Sequence, residues 1–211
     1  MGARWESVVL NREGVEYSAI AGVASSLISM LESPRDVRLH LMASKNDPGL
    51  VSSELAAFRE KPVRVRQGVL GELEERIFAR SGHSFENAEI LFAREASHLV
   101  ARGTLYVYAN EAYNAAGYVR FTKGSVTAFE IAGWHGSDSY FSDGSRAHEP
   151  GLRRDMGVIV SRGLKAAFGL DVRFLDDLFE QFYGYEGAIR SYHLVRKGEV
   201  LAPPEMLQQR E

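Results

Sequence analysis

Between positions 133 and 149 the chain gathers the residue types that acid–base chemistry uses. Trp134, His135, Asp138, Tyr140, Asp143 and His148 lie there, with Ser137, Ser142 and Ser145 among them. Imidazole titrates nearest neutral pH, so His135 is the natural proton shuttle, with Asp138 or Asp143 to orient it. A serine of the segment would act as nucleophile, and Trp134 and Tyr140 would stack on a small polar substrate. On that reading the chain is a hydrolase or group transferase. His135, Asp138, Asp143 and His148 also offer the nitrogen and oxygen donors of a zinc shell. Their spacing follows no metal motif, and Gly144 is misplaced for a helix-loop-helix calcium loop. No Gly-x-Ser-x-Gly elbow exposes a serine. The plainer reading, a solvated connection in which His135 ends a strand, is preferred. No metal or cofactor is expected.

A second candidate is acidic and aromatic at once. Asp171, Asp176, Asp177, Glu180 and Glu186 alternate with Phe174, Phe179, Phe182, Tyr183 and Tyr185. Aromatic anchors within a polar rim are what protein interfaces use, and acidic surroundings steer a basic partner to them. Phe174, Leu178 and Phe182 recur at helical spacing and read as core. Asp176, Asp177, Glu180, Tyr183 and Tyr185 are therefore the residues expected to meet another protein.

Basic residues form two small groups, Arg35 with Arg38, and Lys61 with Arg64 and Arg66. They could hold a phosphate, but charged edge strands also discourage aggregation, and that is the simpler account. A net charge of −3 and a pI near 6.1 weigh against nucleic acid as the partner. His98 lies beside the apolar stripe of its helix, with Glu95 as a same-face neighbour.

The elements that must position these groups are marked by turns and periodicity. Lys123-Gly124 joins Gly117–Thr122 to Ser125–Ala132, an antiparallel pair. Thr104–Ala109 is a strand before it. Val37, Leu39, Leu41 and Ala43 alternate with Arg38, His40 and Met42, which predicts a half-buried strand. Ser7–Leu10 and Val15–Ala19 flank a hairpin-like Asn11–Gly14 turn. Ile20 to Leu31, Val51 to Phe58 after an Asp47-Pro48 cap, Val69 to Ile77, Phe85 to Leu99 and Leu152 to Phe168 carry helical apolar spacing. A short helix over 174–182 follows, and 189–196 with 199–201 reads as a last hairpin.

Hydrophobic residues make up 45% of the 211 positions, enough for a packed core. The absence of cysteine removes disulfides, thiolate metal sites and a cysteine nucleophile. The longest apolar stretch, Ala19 to Leu31, is too short to span a bilayer, and the N-terminus lacks a signal-peptide layout. The expectation is a cytoplasmic α+β protein in which an antiparallel sheet built from hairpins packs against several amphipathic helices. It forms one domain over 1–211, with 103 as the point where a subdivision would fall. The favoured function is non-catalytic binding of another, basic protein, as an inhibitor or a toxin-neutralising protein. The likeness to bacterial immunity proteins is one of size and class, not of motif.

Overall fold

A computed structural model of the protein describes residues 4–32, 37–57, 61–62, 64, 66, 69, 71, 88–110, 115–132, 134–135, 138–140, 146–147, 152–172, 181–182, 189–195 and 205–206. Its centre is β1 (Arg4–Asn11), flanked by β3 (Leu50–Ala57) and β5 (Thr104–Asn110). Beyond β3 come β2 (Arg38–Ala43), β11 (Ile189–His193) and β12 (Glu205–Met206). Beyond β5 come β6 (Ala115–Thr122) and β7 (Ser125–Ala132), and β4 (Lys61–Pro62) joins β3 off this path. Every pairing is antiparallel.

The order β5-β1-β3-β2, with α1 (Tyr17–Ser26) between β1 and β2 and α2 (Ala88–Ala96) before β5, is a split βαβ arrangement. Strands from both sides of residue 103 share this one sheet. The α+β class follows directly.

Both faces of the sheet are covered. Val8, Leu10, Leu41, Val51, Tyr106 and Phe121 pack with Ile20 and Ala24 of α1 and Leu91 and Phe92 of α2. On the opposite face Val9, Met42, Leu50, Leu105 and Val107 pack with Val160 and Leu164 of α3 (Leu152–Phe168), and with Val172 and Phe182. Residues at odd and even positions of β1 and β5 are therefore both buried. That is why these strands read as continuous apolar runs instead of alternating.

Close approach fixes α3 on its side. A Cβ added at Gly163 would lie 2.6 Å from the Tyr118 ring of β6. A glycine inside a helix costs about 1 kcal/mol against alanine, so this one marks where the helix must come near the sheet.

Two expected elements differ in the structure. The segment after Asp47-Pro48 is strand β3, not a helix. Asp47 bonds Gly49 N–H through its carboxylate (2.9 Å) while its carbonyl accepts Leu50 N–H (2.9 Å), so it makes a turn rather than a helix cap. Val51 and Leu55, four apart, share a face in a strand as readily as in a helix. Ser53, midway between them, settles the period at two by pairing with Val8 and bonding its carbonyl. The second difference is Val15–Ala19, which enters α1 instead of pairing with β1. Asn11 Oδ1 accepts Glu13 N–H (3.1 Å), closing a turn that leads from strand to helix. The expected helix at 69–77 and strand 199–201 lie largely or wholly outside the described residues, as does the expected helix 174–182 apart from Gln181 and Phe182, which are helical.

Candidate functional site

The segment after β7 contains paired backbone. β8 (Trp134–His135), β9 (Asp138–Tyr140) and β10 (Arg146–Ala147) form a small sheet in the order β10-β9-β8. His135 stands directly opposite Asp138, and Trp134 opposite Ser139. Tyr140 opposes Arg146, so Trp134 and Tyr140 are not ladder partners. Asp143 and His148 lie outside the described residues. The connection expected to be a solvated loop is thus partly strand at these positions.

In the acidic and aromatic segment, Asp176, Asp177, Glu180, Tyr183 and Tyr185 lie outside the described residues. Its described neighbours are informative. Val172 is 3% exposed and Phe182 is fully buried, both in the core under α3. Lys45 N–H, just past β2, donates to Gln181 O at 2.9 Å. Asp171 is exposed and 3.7 Å from Lys165.

The remaining sequence candidates have structural partners. Arg66 Nε donates to Leu31 O (3.1 Å), and its amide donates to Met30 O (2.9 Å), so it holds a chain crossing. Arg38 is exposed on β2, and Arg35 lies outside the described residues. Glu95 pairs with its sequence neighbour Arg94 at 2.9 Å, not with His98. The His98 ring instead lies against Gly124, where an added Cβ would meet Nε2 at 2.5 Å.

Two polar groupings escape a reading of the sequence. The first is His40 with Ser191, opposed across β2 and β11 and joined Nδ1 to Oγ at 2.8 Å. Partial burial, then the nearby Arg38 charge, lower the His40 pKa from its ordinary 6.5, so the imidazole is neutral at neutral pH. Glu54 sits opposite His40 on the other side, in β3. A neutral imidazole beside a hydroxyl can polarise that hydroxyl, and only the 151-residue separation of the pair hides it in the sequence.

The second grouping lies against α2. Tyr106 donates to Glu6 Oε1, while Tyr108 and the buried Glu89 stand close by. Burial, then the Glu6 carboxylate, push both phenols well above their ordinary 10.0. The phenols are therefore fixed donors at physiological pH. Among the described residues no three His, Cys, Asp or Glu side chains gather as a metal site would require. No described helix is long and apolar enough to cross a membrane.

Comparison with known family models, curated proteins and solved structures gives no match to this chain.

Proposed function

We propose that the protein is a non-catalytic binding module that recognises a basic protein, in the manner of an inhibitor or a toxin-neutralising protein. Asp176, Asp177, Glu180, Tyr183 and Tyr185 form its contact surface. The observation that carries this reading is the anchoring on either side of Asp176, Asp177 and Glu180. Val172 and Phe182 are sunk in the core under α3, and Gln181 is bonded to the chain after β2. Fixed ends reduce the ordering cost of association in general, which favours affinity. The acidic net charge of −3 agrees with a basic partner.

The test uses extract of the native cell, passed over the immobilised full chain. A retained basic protein that is lost when Asp176, Asp177 and Glu180 are all changed to lysine supports the assignment. Undiminished retention by the triple variant removes this surface.

A second reading is favoured by one observation, the opposed positions of His135 and Asp138 in the β8–β9 ladder. A hydrolase or group transferase would use His135 as acid or base, with Asp138 or Asp143 to orient it and Trp134 and Tyr140 against the substrate. Under it, His135→Ala abolishes turnover and leaves the melting temperature nearly unchanged. A large loss of stability instead gives His135 a structural role.

A further inference from the structure

We propose an anion-binding site at the start of α1, built by Arg12 and Arg190 around Tyr17 and suited to phosphate-bearing small molecules. The two arginines come from distant parts of the chain. Arg12 follows β1, and Arg190 lies in β11 opposite Leu41 of β2. Their guanidinium carbons stand 4.4 and 4.1 Å from the centroid of the same Tyr17 ring. That ring is only 7% exposed and belongs to the core between α1 and the sheet, so it holds both cations in place.

Charge is left over at this point. Among the described residues neither arginine forms an ion pair. Glu13, the acid nearest Arg12 in sequence, pairs with Arg102 at 3.7 Å. Glu16 is exposed. Arg12 spends one N–H on Val15 O at 3.3 Å, and its buried Nε has no hydrogen-bond partner among the described residues. Arg190 lies beside the Tyr192 hydroxyl and works to lower its pKa. The other N–H groups of both forks have no acceptor among the described residues. The first turn of α1 carries no acidic residue, and its N-cap, Glu16, makes no side-chain cap bond.

Two planar forks with no ion-paired carboxylate can hold an oxyanion, because each can give two parallel N–H bonds. A carboxylate has two oxygens and one fork satisfies them. A phosphate group has oxygens enough for both. The site faces the α1 side of the sheet, whereas Phe182 lies in the core on the α3 side.

The experiment is calorimetric titration of inorganic pyrophosphate, inorganic phosphate and acetate into the full chain at constant ionic strength. Pyrophosphate and phosphate should bind more tightly than acetate, whose single carboxylate fills one fork. Arg12→Lys and Arg190→Lys keep charge and most packing but lose the fork, and each should weaken pyrophosphate binding roughly tenfold. Arg162→Gln, which removes the 2.7 Å partner of Glu130 elsewhere, should leave binding unchanged. Urea melts of each variant establish that it is folded. No heat with millimolar pyrophosphate, or equal affinity in the two lysine variants, overturns the site. Equal affinity for acetate overturns its selectivity for phosphate.

Discussion

At His40 the decisive neighbours lie on other strands. Ser191 holds its Nδ1, Arg38 repels its proton, and Glu54 and His193 occupy adjacent ladder positions. Its folded pKa lies below the unfolded 6.5, so the unfolded chain binds more protons as the medium acidifies. The His40 contribution is complete above the unfolded value and is lost as pH falls through the folded one. Urea midpoints should therefore drop on acidification below about pH 6.5, and His40→Asn should flatten part of that slope. An unchanged slope would mean that other groups govern it. Tyr106 has the opposite sign. Its pKa is raised on folding, so its contribution is present below 10.0 and declines as pH rises above that value. Tyrosinate absorbance should show Tyr106 and Tyr108 ionising only when the fold is lost. Tyr106→Phe removes a hydrogen bond to a carboxylate and should cost about 1.5–3 kcal/mol in denaturant melts.

At the scale of elements, the β6–β7 hairpin shows how a short sequence signal is completed by its surroundings. Lys123 and Gly124 have φ of 49° and 76°, the two positive values that a type I′ turn needs. The end of α2 then grips the turn. Ser97 Oγ accepts the Gly124 N–H at 2.8 Å, and the His98 ring fills the space beside it. Gly124→Ala meets both the backbone strain and the His98 ring, and should destabilise by more than about 1 kcal/mol. His98→Ala in the same chain should restore part of the loss, measured as the shift in urea midpoint. Full additivity of the two changes would show that the ring contact is immaterial. A register shift between Arg120 and Phe121 adds a bulge near this outer strand, and bulges twist a free edge away from unwanted pairing.

Over the whole molecule, stability rests on two cores separated by one sheet. Phe182 has no exposed surface and lies 140 residues after Met42 in sequence, yet it packs in the same core as Met42 and Leu50. Phe182→Ala should cost about 3–5 kcal/mol in denaturant melts, as a filled core site does. Val126→Ala, at a residue 36% exposed on β7, should stay within about 0.5 kcal/mol. A comparable loss at both positions would contradict the layer arrangement. Amide exchange should be slowest in β1 and β5, which are buried on both faces.

Local chemistry made some of this legible in the sequence. Glycine after lysine between β-rich runs could hardly be anything but a hairpin turn, and the 152–168 periodicity gives a helix in the same place as α3. Cysteine-free composition excludes thiol chemistry without any coordinates. Period alone failed at Val51 and Leu55, because a spacing of four satisfies both a helix face and a strand face; pairing with β1 and β2 decided between them. The His40–Ser191 contact and the gathering of Arg12 and Arg190 on Tyr17 have no sequence signature at all. Each joins residues on elements far apart along the chain, and hydrogen-bond and ring contacts of a few ångströms exist only once the sheet has set β11 beside β2.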